Sequence, residues 1–289
     1  MKTLAIYGNR YQQGHLEGLR RFFALLAERG FKVYIERDFS LYLNTMGITM
    51  TDAFMVDDFP RGVDCVVSIG GDGTFLQAAQ WVGNRETPIL GINTGHLGFL
   101  ASFSLDDTEE LLEVMAHQCW RIERRAVIEV LCDKMPDGFW PYALNEVAVL
   151  KGDTASMVTV HAEIDGFFLA DYMSDGLVVA TPTGSPAYNL SVGGPIIQPT
   201  LNCLVISPIA PHSLTMRPLV VDAASSIVLT PRSRQRECRV SLDGRSYLLN
   251  SGESIVLKEA SFKVSVVRRP KGNFSKVLRN KLGWATRPE

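Results

Sequence analysis

The first hundred residues alternate between two hydrophobic periods. Thr3 to Tyr7 is a short apolar run, and Gln12 to Arg29 repeats its apolar positions at helical spacing until Gly30, which predicts a strand followed by a helix. Lys32 to Glu36, Cys65 to Ile69 and Ile89 to Ile92 read as further strands, with Phe75 to Val82 as a helix between the last two. Strands and helices in alternation predict a parallel sheet with covering helices.

From about Trp120 the texture changes to short β-branched runs parted by Gly, Asp and Pro, such as AVIEVLC, MVTVHAEIDG, DGLVVATPTG and SIVLTPR. This pattern predicts an all-β domain. Leu105 to His117 reads as a helix connecting the two regions, and the closing KGNFSKVLRNKLGW reads as a basic amphipathic helix returning to the first. The 289 residues exceed the size at which one core stays efficient. The expected division is an α/β nucleotide-phosphate domain at 1–103, rejoined by the tail 266–289, and a β-rich domain at 104–265.

Composition changes this picture little. With 46% hydrophobic and 21% charged residues the whole chain can build a packed core. A net charge of -2 gives no global attraction to nucleic acid, so an anionic ligand must be held locally. Only four apolar residues lie between Lys2 and Gly8, far fewer than a signal peptide or membrane span needs, which predicts a cytoplasmic protein without a membrane partner. Cys65, Cys119, Cys132, Cys203 and Cys238 show no paired spacing and are expected to be reduced. The five histidines are equally dispersed, so no protein-built metal site is expected.

The sharpest local signal is SIGGDGTF, Ser68 to Phe75, where an apolar strand runs into a glycine turn before a helix. Glycines let the backbone approach phosphate oxygens, and the first helical amides offer unpaired donors. Asp72 within such a cradle repels the ligand the glycines attract. It is read as a proton acceptor, as a carboxylate that helps hold magnesium, or as a turn former bonded to its own backbone. GxxxxGK[ST] is missing and GGDGTFLQ lacks the third glycine of GxGxxG, which disfavours a P-loop enzyme and an ordinary Rossmann dehydrogenase. A second cluster, GINTGHLGFL, again follows a strand; there Asn93 is a ligand donor or a turn former, and His96 an ordinary loop residue.

Further along, ALNEVAVL sets Asn145 and Glu146 inside an apolar run, suited to a ribose diol or an adenine edge, or else marking a strand end in solvent. Ser174 to Pro199 then concentrates Thr181, Thr183, Gly184, Ser185, Tyr188, Asn189 and Ser191 in one segment. So many small polar groups beside one aromatic ring suit a dinucleotide.

GGDGT from Gly70, Asn145 with Glu146, SDG from Ser174, TPTGSPAY from Thr181 and GGP from Gly193 together resemble the NAD kinase family, with LTMRPLV and KLGW as further landmarks. GGDGT alone also occurs in diacylglycerol kinases, sphingosine kinases and phosphofructokinases. The resemblance implies an N-terminal α/β domain, a sandwich-like C-terminal β domain with the active site between them, and a homodimer or homotetramer. It implies an enzyme phosphorylating the 2′-hydroxyl of NAD with ATP and magnesium, Asp72 being the base. Gly73, Asn145, Glu146, Asp175, Ala187, Tyr188 and Ser191 would contact the dinucleotide. Asn93, Asn189 and Leu190 complete that set, and Ala210 and Arg245 match ligand-adjacent positions; without the family these last two read as a small packed residue and a solvated hairpin charge. Pro186 replaces a threonine common in the family and carries no N–H. Met173 stands where some relatives carry a longer polar residue, and by itself reads as packed methionine. A GGDGT-type lipid kinase and a catalytically silent dinucleotide sensor are the alternatives.

Overall fold

The computed structural model describes residues 3–11, 13–50, 52–95, 98–117, 120–152, 156–234, 236–270 and 274–284. The chain forms two units, Met1–Arg124 with Val264–Glu289, and Arg125–Lys263.

The first unit runs β1 (Thr3–Gly8), α1 (Leu16–Glu28), β2 (Lys32–Glu36), α2 (Arg37–Thr45), β3 (Ala53–Val56), β4 (Cys65–Ile69), α3 (Asp72–Val82), β5 (Ile89–Asn93), β6 (Phe103–Ser104), α4 (Thr108–His117) and β7 (Arg121–Arg125). The second holds β8 (Ile128–Leu131), β9 (Tyr142–Ala143), β10 (Glu146–Lys151), β11 (Val158–Ile164), β12 (Phe167–Ser174), β13 (Gly176–Ala180), α5 (Tyr188–Ser191), β14 (Cys203–Ile209), β15 (Leu219–Asp222), β16 (Ile227–Arg232), β17 (Glu237–Leu242), β18 (Arg245–Asn250) and β19 (Ile255–Glu259). The chain then returns to the first unit as β20 (Val264–Arg268) and α6 (Phe274–Leu282).

The sheet of the first unit is ordered β3-β2-β1-β4-β5-β20-β7, with β6 beside β5. Neighbours β1 with β2, β1 with β4, and β4 with β5 are parallel. One face, through Leu4, Ile6, Val67 and Ile92, packs against Leu19 and Phe22 of α1, Phe39 of α2 and Leu111 of α4. On the other, Gly91 leaves room for Phe75 of α3, which a Cβ there would crowd. Helices on both faces explain why β4 and β5 are buried at every position.

The second unit stacks two sheets, β15-β14-β13-β10-β17-β18 and β12-β11-β16-β19-β8-β9, whose neighbours are antiparallel wherever residue registers define them. Their inner faces share one core, with Val147, Val149, Leu177 and Val179 from the first sheet and Val160, Ala162, Leu229 and Leu257 from the second. That is the sandwich the resemblance implies. β13 is buried throughout because its outward Val178 and Ala180 are also covered, in a small cluster with Ala148 against which Val192 packs.

Three expectations change. The segment after residue 103 belongs to the first unit: Leu111, Leu112 and Met115 of α4 join its core and β7 its sheet, so 105–117 does not bridge two domains. Helix α2 and edge strand β3 are additional; α2 starts where the Glu36 carboxylate accepts the amides of Asp38 and Phe39, each at 3.0 Å. Helix α3 begins at Asp72 rather than Phe75, with Gly71 as its cap. Cys65, Cys132, Cys203 and Cys238 are free thiols, while Cys119 and His96 lie outside the described residues.

Candidate active site

In the first unit the strand order reverses between β1 and β4, and in open α/β sheets ligands bind beyond the carboxyl ends of strands at such a point. The glycine turn after β4 lies there. Gly70 takes φ of 153°, and a Cβ on it would collide with Thr74, so only glycine makes this turn. A Cβ on Gly71 or Gly73 would meet nothing, which leaves open space before the first amides of α3. Asp72 is held rather than loose: its Oδ2 accepts the Phe99 amide at 2.9 Å and its Oδ1 the Leu100 amide at 3.1 Å. Gly98 permits this approach, since a Cβ there would overlap the carboxylate. Asp72 therefore bonds a distant loop, not its own turn. Asn93 instead takes the turn-forming role, buried with its Oδ1 accepting the Gly95 amide at 2.8 Å.

The second unit gathers the Asn145 and Glu146 group. Asp243, in the turn between β17 and β18 at φ of 47°, accepts the amides of Leu144, Asn145 and Glu146 at 2.7, 2.8 and 3.1 Å. This fixes the entry to β10. Asn145 Oδ1 and Glu146 Oε2 are both buried without a protein partner, and orphaned buried acceptors of this kind invite a ligand's donors. Burial, then the charge of Asp243, raises the Glu146 carboxyl to about 8 against the pull of the Tyr188 amide. The raised carboxyl favours the protonated form of Glu146, which can donate as well as accept. The Tyr188 hydroxyl is also raised, by burial and by Glu146 and Asp175.

The hydroxyls that suited a sugar are used inside the protein. Thr181 donates to Leu144 O at 2.6 Å and accepts the amides of Thr183 and Gly184. Ser185 bridges Pro182 O and the Ile197 amide. Asn189 is wholly buried, donating to Ser185 O and Pro195 O and accepting from Ser207. These residues shape the segment, their side-chain polar atoms already having partners within the protein. Arg125, also fully buried, donates to Thr183 at 3.3 Å.

Other candidates divide. Ala187, Tyr188 and Ser191 are exposed on or before α5, with Pro186 and Leu190 half-buried beside them. Asp175 pairs with Lys151 at 2.7 Å. Met173 is 49% exposed on β12 rather than packed. Ala210 is exposed at φ of 43°, again not a packed residue. Arg245 is not a solvated charge: it donates to Trp140 O at 2.9 Å and Tyr142 O at 2.7 Å and lies over the Phe139 ring. Sequence reasoning passed over Asp243, although Asp-Gly between two alternating runs signals a hairpin turn, and Arg268, for which no local signal exists. Among the described residues no three of His, Cys, Asp and Glu gather as a metal site.

Comparison with known proteins bears on both units. A family model described as the ATP-NAD kinase N-terminal domain matches residues 4–119, and one described as the C-terminal domain matches 144–269. An NAD kinase of Bacteroides fragilis is 42% identical over 283 residues, covering 97% of each chain. One of Porphyromonas gingivalis is 42% identical over 286 residues, 98% of each. Among solved structures, an Archaeoglobus fulgidus NAD kinase in complex with ATP has TM-score 0.70 at 28% identity, covering 98% of each chain. A yeast NADH kinase complexed with NADH shares the fold, with TM-score 0.87 at 23% identity over 100% of this chain and 89% of its own. None of these similarities supports a lipid kinase or a silent sensor. Matched in both units and along nearly its whole length, the chain belongs to the NAD kinase family.

Proposed function

We propose that the chain transfers the terminal phosphoryl group of ATP to the adenosine-ribose 2′-hydroxyl of NAD, giving NADP, with Asp72 accepting the hydroxyl proton. One observation carries the assignment of Asp72: its carboxylate is anchored by two amides of another loop while the glycines on either side leave the space beside it open. A ribose hydroxyl is a poor nucleophile, and a positioned base contributes about 10² to 10⁴ in rate. The first amides of α3, which have no partner within the helix, favour phosphate oxygens, and Gly73 lets them approach.

Asn145 and Glu146 are assigned to recognition of the dinucleotide, since their orphaned oxygens accept from ribose or adenine and protonated Glu146 also donates. Tyr188, 37% exposed, offers a ring for stacking. Asp175, Ala187 and Ser191 border the same segment. Magnesium would enter with the nucleotide substrate, held by its phosphates and neutralising their charge.

Two coarser expectations accompany this reading. A homodimer or homotetramer is supported by the exposed rings of Phe167 and Phe168, 78% and 62% accessible at the tip of the β11–β12 hairpin, and light scattering tests it. A cytoplasmic enzyme is in keeping with the finding that, among the described residues, no helix is long and apolar enough to cross a membrane. NADP formation from NAD, ATP and magnesium by the purified protein tests the whole assignment; no NADP above a blank would overturn it.

A further inference from the structure

Arg268 ends β20, the strand that the C-terminal segment inserts beside β5. Its side chain is only 11% exposed, and all three guanidinium nitrogens are engaged. Nη2 donates to Phe99 O at 2.8 Å, Nη1 to Leu100 O at 3.0 Å and to Ser102 Oγ at 2.9 Å, and Nε to Glu123 Oε2 at 3.2 Å. Arg269 adds a bond from Nε to Ser102 O at 2.8 Å.

The same short loop supplies the two amides that hold Asp72. The peptide joining Phe99 to Leu100 is gripped at both ends: its carbonyl accepts from Arg268, and its N–H donates to Asp72 Oδ1. A guanidinium, a peptide and a carboxylate thus form one hydrogen-bonded chain, in which each bond polarises the next. The planar fork of arginine suits adjacent carbonyls in a way an ammonium does not.

We propose that Arg268 is a positioning residue for Asp72, acting through the Phe99 and Leu100 peptides to fix the carboxylate where it takes the substrate proton. The inference rests on the assignment of Asp72 as base. A purely structural role, strapping the last strand to the sheet, makes a different prediction: it would disturb substrate binding and turnover regardless of what occupies position 72.

A double-mutant cycle separates the two. kcat and the KM for NAD are measured at saturating ATP and magnesium for the intact protein, Arg268→Met, Asp72→Asn and the double variant. Arg268→Met is expected to lower kcat about 10-fold or more, with KM changed by less than about 2-fold. In the Asp72→Asn background the same change should cost less than about 2-fold, because residues acting as one unit are not additive. Arg268→Lys keeps the charge and loses the fork; it should show a smaller loss confined to kcat, and carries the same cycle if Arg268→Met does not fold. An equal loss in both backgrounds, or a KM effect without a kcat effect, would overturn the proposal while leaving Asp72 as base. Near-normal turnover of Asp72→Asn alone would overturn the base assignment and this proposal with it.

Discussion

Asp72 in the first unit and Asp243 in the second are built alike up to a point: each carboxylate is fixed by backbone amides remote in sequence, two for Asp72 and three for Asp243. They differ in what lies beyond the anchor. Around Asp72 the neighbouring glycines leave open space at the start of α3, whose first amides have no partner within the helix. Asp243 is desolvated, and burial raises its carboxyl against the three amides that pull the other way. Its work is to hold residues 144–146 in place so that the side chains of Asn145 and Glu146 present unmet acceptors. Amide anchoring therefore marks precision in both regions, and chemistry only where space remains for a substrate.

Substitutions test that distinction. Asp72→Asn keeps the size of the side chain and removes its basicity, so kcat should fall by at least about 10²-fold with little change in NAD affinity. Steady-state kinetics with calorimetry of NAD binding checks this, and turnover close to normal would erase the contrast with Asp243. Asp243→Ala should act on stability instead, since it strips three amides of a charged acceptor. A loss of about 3 kcal/mol in urea unfolding is expected, and a loss under about 1 kcal/mol would mean that the turn holds without its carboxylate.

Glu146 sharpens the comparison from the other side, as a carboxyl short of donors. Folded, it keeps its proton up to about pH 8, whereas an ordinary glutamate releases it near 4.5. Between these values the folded state binds more protons than the unfolded one, so stability contributed by this group falls as pH rises. Glu146→Gln cannot ionise. The ligand-free variant should lose less stability than the unsubstituted protein between pH 5 and pH 9, and parallel pH profiles in chemical denaturation would refute the assignment.

The smallest effect is expected at Pro186, half-buried in the segment that Thr181, Ser185 and Asn189 brace from within. Pro186→Thr should leave the enzyme active and lower its stability by about 0.4 to 1 kcal/mol through greater freedom of the unfolded chain. A melting curve reads that change. A folded but inactive variant would show that this segment is not shaped by its internal bonds alone.

Hydrophobic period and turn chemistry act over a few residues, and what depends on them is already present in the linear chain. The alternation of β1, α1, β2 and β4, the change to β-branched runs, and the glycine turn at Gly70 to Thr74 all follow from local sequence. So does the irregularity of Asn145 and Glu146 within an apolar run. Tertiary structure decided the rest. Whether residues 105–117 bridge two domains or join one was settled by which core accepted Leu111, Leu112 and Met115. That Thr181, Ser185 and Asn189 spend their side-chain polar atoms inside the protein depended on carbonyls and hydroxyls brought up by neighbouring segments. Arg268 reaches Phe99 and Leu100 across 169 and 168 positions of sequence, a contact made only because β20 lies beside β5 in the sheet. No local pattern encodes such a pairing, since its free energy comes from burying a strand that the chain adds last.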